Sequence, residues 1–111
     1  MAKTYTREEI VKATINDASK VAKKAKNRLT ANGCNVGEIE VYEIVKLEGS
    51  PNTPRVVITI ESDAGSIAQT IIEALGNERL KVINYQDFTG VYDWRSDVYH
   101  KPYGEVILQR H

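Results

Sequence analysis

The sequence has almost no cysteine for disulfide cross-links and no segment typical of membrane insertion. It contains one cysteine, Cys34, in 111 residues, and a single cysteine cannot form a disulfide within the chain. The longest aliphatic stretch, residues 56–60, is far shorter than the roughly 20 apolar residues that span a bilayer. The N-terminus lacks the apolar segment of a signal peptide. We therefore expect a single domain, residues 1–111, that is cytoplasmic at synthesis and has no membrane partner.

Catalytic and metal-binding motifs are also missing. There is no Gly-x-Ser-x-Gly elbow, and Cys34 has no histidine near it in sequence. Residues 63–66 lack the length and the lysine of a phosphate-binding loop, and we expect Asp63 to cap the helix that follows. Three carboxylates and one imidazole are candidates for a metal or acid–base site, but their spacing matches no known ligand motif: Asp87, Asp93, Asp97 and His100. The sequence predicts no enzyme, no metal and no cofactor, with a reaction at Asp97 and His100 as the weakest alternative.

Apolar residues recur with helical or strand spacing along much of the chain. Thr6 and Glu9 have capping-box spacing, and apolar residues then recur every three or four positions until Asn32-Gly33. This predicts a first helix over 6–29. Alternation predicts a strand over 38–48 whose polar face includes Glu38, Glu40 and Tyr42. Glu43 and Ile44 break the alternation, which predicts either a bulge or a partly covered outer face there. Loop 49–54 joins this strand to an antiparallel strand over 56–60.

The second half of the chain predicts a helix and two more strands. Ser62-Asp63 can cap a helix over 64–75, which Gly76-Asn77 ends. Only Glu73 is charged in that helix. We therefore expect the helix to be buried on more than one side, by the rest of the domain or by a second subunit. Strands follow from Leu80 and over 105–109. The order α-β-β-α-β-β predicts an α+β fold, with two helices packed on one face of an antiparallel sheet.

The charges are segregated although the chain is neutral overall. Residues 1–32 carry a net charge of +5 and the rest of the chain carries −5. The first helix supplies a predicted basic surface: Lys12, Lys20, Lys23, Lys24, Lys26 and Arg28. Nucleic-acid binding by these residues is not favoured, because such modules are usually basic overall and no nucleic-acid motif is present. The segregation favours electrostatic contact with a partner, including a second copy of the chain.

Six of the eight aromatic residues lie between Tyr85 and Tyr103. We expect residues 94–97 to form the turn of a long hairpin whose arms carry these rings. Aromatic side chains are enriched in interface hot spots, which makes five of them a predicted partner-binding site: Phe88, Tyr92, Trp94, Tyr99 and Tyr103. The alternative is that the rings pack over the edge of their own sheet.

Over residues 6–110 the element order resembles phage neck and tail-completion proteins of the tail-terminator type. The shared features are an opening helix, a strand hairpin with a loop, a second helix from Ala64, and an aromatic, acidic stretch before the last strand. The resemblance implies a non-enzymatic virion component that assembles into a homo-oligomeric ring with other virion proteins. The alternative is a small monomeric or dimeric binding module, such as a phage-encoded inhibitor of a protein or nucleic acid.

Overall fold

The predicted α+β class and its element order are confirmed, with one additional short hairpin. The computed structural model describes residues 6–44, 54–76 and 79–110. The elements are α1 (Arg7–Ala31), β1 (Val36–Ile44), β2 (Arg55–Ser62), α2 (Ile67–Ala74), β3 (Leu80–Phe88), β4 (Val91–Asp93), β5 (Val98–His100) and β6 (Tyr103–Arg110). Predicted strand residues 45–48, most of the predicted loop and Asn77 lie outside the described residues.

The four long strands form one antiparallel sheet in the order β1-β2-β6-β3. β4 and β5 pair with each other in a separate two-stranded sheet. β3, β4, β5 and β6 therefore make the long hairpin expected from the sequence, and its turn lies at residues 94–97. Asp97 has a positive φ of 54°, a conformation that Asp tolerates better than most residues do.

Local signals at both ends of α1 act as the sequence predicts. The Thr6 hydroxyl accepts a hydrogen bond from the Glu9 amide at 3.1 Å, which satisfies one of the free amides of the first turn. At the other end Gly33 has a φ of +82°. Its amide donates to Thr30 O, and the Cys34 amide donates to Leu29 O, each at 3.0 Å. These two bonds are the pattern of a Schellman motif, which ends the helix.

Both helices pack on the same face of the sheet. Alanines at 18, 22 and 25 of α1 are almost fully buried, and their small side chains let the helix lie close to the strands. The core on this side is one cluster that includes Ile58, Ile71 and Leu108. Each fully buried side chain of this size contributes about 1.5–3 kcal/mol of transfer free energy. An ion pair between Asp17 Oδ2 and Arg110 Nη1, at 2.9 Å, joins α1 to β6.

α2 begins later than predicted and has a different cap. It starts at Ile67 rather than Ala64, and the Ser66 side chain makes no capping bond. The Asp63 carboxylate accepts from the Asn35 amide at 2.8 Å and from Asn35 Nδ2 at 3.1 Å, so the predicted cap is wrong because Asp63 has a tertiary partner. Asp87 on β3 replaces it, since its Oδ1 accepts from the Ala68 amide at 2.8 Å. The apolar sides of α2 are covered by α1, β3 and β6 of the same domain.

Of the two alternatives predicted for Glu43 and Ile44, the bulge is wrong, whereas Ile44 is half-buried on the side of the sheet away from the helices. β1 pairs with β2 in continuous register from Ile39 to Ile44, and the shift lies between Val36 and Ile39. Glu43 lies on the helix-facing side of β1, where it forms an ion pair with Arg7 of α1. Its interruption of the apolar pattern therefore reflects a helix-to-strand contact and not a bulge.

Candidate interaction surfaces

The sheet face opposite the helices is the largest candidate surface, here called the open sheet face. Neither α1 nor α2 covers it, and strand register aligns its side chains in rows across the strands. One row is Tyr42, Val57, Ile107 and Asn84. Val57 is only 2% exposed although it lies on this face, because its cross-strand neighbours pack around it. The open sheet face therefore has an apolar centre.

Glutamates gather at the end of the open sheet face nearest the β4–β5 hairpin. A depression of about 320 Å³ lies there, lined partly by Tyr42, Lys101 and Tyr103. Four glutamates line the same depression: Glu38, Glu40, Glu61 and Glu105. We call these four residues the acidic end.

Like charges perturb the side chains at the acidic end. The pKa of Glu38 is raised, first by a hydrogen bond with the Glu40 side chain and then by the negative charge of Glu40. The pKa of Tyr42 is raised by partial burial and next by the charge of Glu105. The Glu61 carboxylate accepts from the Glu38 amide at 2.9 Å, which holds one of the four in place. Like charges this close destabilise a sheet. The four glutamates therefore lower the stability of the fold unless a positive charge lies beside them.

The predicted aromatic site is divided into two parts. Phe88 and Tyr103 lie opposite each other on β3 and β6. Their rings stack with centroids 4.4 Å apart and an interplanar angle of 14°. Both residues are half-buried on the open sheet face. For this pair the structure agrees with the alternative prediction, in which the rings pack on their own sheet.

The other three predicted aromatics lie on the β4–β5 hairpin, together with Val98. Trp94 is 75% exposed, Tyr99 59% and Tyr92 56%. The Tyr92 hydroxyl donates to the Asp97 carboxylate, and this bond raises the pKa of Tyr92. Arg95 lies over the Trp94 ring at 5.4 Å, a cation–π distance. We call residues 92–99 the hairpin tip, and it is a large exposed apolar surface on a narrow support.

Two exposed tyrosines were missed by the sequence analysis. Tyr42 is 43% exposed on the open sheet face and Tyr85 is 59% exposed on the outer strand β3. Tyr42 is separated from the aromatic segment by about forty residues, so clustering along the sequence could not reveal it. Its alternation with Glu38 and Glu40 along β1 was the only available signal.

The six predicted basic side chains of α1 are all exposed, but they do not form one compact patch. Lys12 lines a depression beside Glu43, and Lys23 and Lys26 line another between α1 and β1. The 3.6-residue helical repeat places Lys24 and Arg28 on the other flank. The positive charge therefore surrounds the outward side of α1, on the opposite layer of the domain from the acidic end.

Two of the residues considered for chemistry have structural partners. Asp87 caps α2 and Asp97 accepts from the Tyr92 hydroxyl. In the backbone pairing of β4 and β5, Asp93 lies opposite Val98 and His100 opposite Val91. Within 6–44, 54–76 and 79–110, no three His, Cys, Asp or Glu side chains are grouped so that they could hold a metal ion. Cys34 is half-buried against the core.

Models of known protein families, curated proteins and solved structures were compared with the chain. None of them matches it. The resemblance to phage neck and tail-completion proteins consequently stays a prediction based on element order. In the described part of the chain, no helix is both long enough and apolar enough to cross a bilayer.

Proposed function

We propose that the protein is a non-enzymatic assembly protein that acts as a homo-oligomer, most closely fitting a ring in a phage neck or tail of the tail-terminator type. One observation carries the proposal. A domain of two layers has basic side chains on the outward side of its helix layer and four glutamates on the uncovered face of its sheet. In this proposal the outward face of α1 in one copy meets the acidic end of the next.

Such a contact is heterologous, because two different surfaces of the same chain meet. Heterologous contacts produce rings when the rotation between copies closes and filaments when it does not. The two surfaces are on opposite layers of the domain, so each copy has both and can contact a neighbour on either side. The ring form follows from the resemblance, and the element order on which the resemblance rests is α-β-β-α-β-β.

Charge alone would not hold the copies together. Exposed ion pairs contribute about 0–1 kcal/mol each and are screened by salt. Tyr42 and Ile107 belong to the row that adjoins the acidic end, and their exposed surface adds area that association removes from water. A stable interface buries about 800 Å² on each partner, which requires the row as well as the glutamates.

Molar mass in solution tests this proposal. Light scattering after size exclusion would be measured over a range of protein concentrations, at low and at high salt. We expect a discrete oligomer at low salt that dissociates at high salt, because counterions screen the opposed charges. A monomer at every concentration and salt level would contradict the proposal.

The second candidate is a monomeric or dimeric binding module, such as a phage-encoded inhibitor. The exposed aromatics of the hairpin tip favour it, because Trp and Tyr are typical anchors in a foreign partner's pocket. A nucleic-acid ligand would show binding that falls steeply with salt and is lost on joint Lys23→Glu and Lys24→Glu substitution. Nucleic-acid affinity that survives this double charge reversal would exclude the basic helix as its binding site.

A further inference from the structure

A groove runs between α1 and the outer strand β1, and we call it the α1–β1 groove. It consists of two neighbouring depressions of about 280 and 400 Å³. Val11 and Ile15 line the first, and Ser19, Ile39 and Val41 line the second. The four apolar side chains among them, Val11, Ile15, Ile39 and Val41, are only half-buried. The groove therefore leaves apolar surface in contact with solvent, which a docked partner would bury.

The rim of the groove is mainly cationic. Lys12 borders the first depression, and Lys23 and Lys26 border the second. Arg7 and Glu43 close one end by pairing with each other. An apolar floor with lysines on its rim suits an occupant that brings aromatic rings and negative charge, since ammonium groups bind both carboxylates and ring faces.

The hairpin tip supplies the aromatic rings, and its carboxylate, Asp97, lies in the same turn as Arg95. Trp94, Tyr92 and Tyr99 are each more than half exposed, and Asp97 lies in the turn beside them. Trp and Tyr rings bury about 150–250 Å² each when covered. A cluster of this kind on a protruding support is the usual form of an interaction anchor.

Strand directions place the hairpin tip away from the first depression of the groove in the same subunit. β6 pairs antiparallel with β2, and β2 with β1, so the hairpin projects beyond the end of the sheet at which β1 begins. The first depression of the groove lies by Glu43, near the end of β1. A tip and a groove at opposite ends of the strands meet when two copies associate head to tail.

The hairpin tip is also continuous with the acidic end. Lys101 and Tyr103 follow the hairpin directly in the chain and line the depression with the glutamates. A neighbour that presents its acidic end to α1 brings its hairpin tip to the same side of that helix. In the receiving copy, the lysines of α1 then contact the neighbour's glutamates, and the apolar side of α1 contacts the neighbour's aromatic rings.

We propose that the hairpin tip of one copy docks in the α1–β1 groove of the next copy. The inference rests on the proposed self-association, and it assigns the aromatic anchor of that contact and its receptor.

Trp94 is the only tryptophan in the chain, so its fluorescence reports directly on the hairpin tip. The emission maximum and its quenching by acrylamide would be measured with molar mass over the same concentration series. We expect emission to shift to shorter wavelength and quenching to fall as the mass rises. A rising mass with unchanged emission and quenching would overturn this docking and leave the proposed function standing. A mass that never rises would contradict both.

Two variants test the contact from each side. Trp94→Ala should weaken self-association about thirtyfold or more, the range of a hot-spot residue. The matched control is Tyr85→Ala, because Tyr85 is as exposed as Tyr99 but lies on β3, and we expect less than about a threefold change. Ser19→Gln, which puts a longer uncharged side chain at an exposed position in the groove, should weaken association and abolish the Trp94 shift. Equal affinities for Trp94→Ala and Tyr85→Ala would overturn the inference.

Discussion

The two faces of the sheet differ more than any other two regions of the molecule. On β2, Val56, Ile58 and Ile60 point to the helices and are 0% exposed. The alternating residues of the same strand include Arg55, Thr59 and Glu61 on the open sheet face, and all three are half-buried. One strand of eight residues thus contributes both to a close-packed core and to an uncovered, charged surface.

The difference indicates which part of the sequence serves the fold. On the helix side, small and branched residues pack with one another, and no buried side-chain polar atom lacks a hydrogen-bond partner among the described residues. On the open sheet face, Glu38 and Glu40 lie side by side and interact unfavourably. Departures from locally optimal choices concentrate at functional surfaces, and for this reason we propose the acidic end as a contact site.

The largest expected effect is on the helix side of β2. Ile58→Ala should lower the free energy of unfolding by about 2–5 kcal/mol, because it leaves a cavity beneath α1. Thr59→Ala, at the next residue and on the open sheet face, should change it by less than about 1 kcal/mol, the span of strand propensities. Denaturant midpoints of the two variants measure the contrast. Similar losses from both would mean that the faces do not differ as described.

A smaller effect is expected where α2 crosses β6. A Cβ at Gly104 would lie 2.6 Å from the Cβ of Ile67 and 2.8 Å from the Ala68 amide nitrogen. Gly104→Ala should therefore destabilise the fold by about 1–3 kcal/mol through overpacking. Gly65→Ala is the matched control, because its Cβ would meet nothing within 4 Å. Thermal unfolding of both variants would show the difference, and a stable Gly104→Ala variant would contradict this close approach.

The cap of α2 by β3 should have a more modest effect. Asp87→Ala removes the acceptor of the Ala68 amide and should cost about 1 kcal/mol, as the loss of a helix cap does. Gln86→Ala, its exposed neighbour on β3, should be nearly neutral. Chemical denaturation compares the two, and hydrogen exchange of the Ala68 amide should quicken only in Asp87→Ala. An unchanged exchange rate would remove Asp87 from this role.

The smallest effect concerns pH at the acidic end. The pKa of Glu38 is raised above 4.5, so the folded state holds this proton more tightly than the unfolded state does. The resulting stabilisation is fully present below pH 4.5 and is lost as pH rises through the folded pKa. Glu40→Gln removes the main cause, and it should flatten the loss across this window and raise stability at neutral pH. Glu73→Gln, at an exposed position of α2, should leave the profile as it is, and identical profiles for both variants would refute the coupling.

Features that depend on neighbouring residues could be predicted from the sequence. The N-cap at Thr6, the Gly33 stop and the turn at residues 94–97 all depend on residues a few positions apart, and all are present in the structure. The second bond of the predicted capping box is replaced, because the Glu9 carboxylate accepts from the Thr6 hydroxyl. The alternation of β1 also placed Glu38, Glu40 and Tyr42 on one face correctly. The confirmed element order followed from these local patterns.

Features that depend on distant partners could not be predicted. Asp87 caps α2 from nineteen residues away, whereas Asp63, which has the correct local spacing for a cap, binds Asn35 instead. The division of the aromatics followed from register, which sets Phe88 against Tyr103 and leaves Trp94 in the turn. The acidic end required the pairing of three strands, because its glutamates come from β1, β2 and β6.

Mixing two charge-reversed variants tests the central claim most directly. One variant reverses four charges on the outward face of α1, and the other reverses three at the acidic end: Lys12→Glu, Lys20→Glu, Lys23→Glu and Lys26→Glu in the first, and Glu38→Lys, Glu40→Lys and Glu105→Lys in the second. Each reversal puts like charges in every contact, so each variant alone should be monomeric by light scattering at low salt. Their equimolar mixture should recover the oligomer, because both contacts then join opposite charges. A mixture that stays monomeric while the unmodified protein assembles, or α1 variants that assemble normally, would contradict the account.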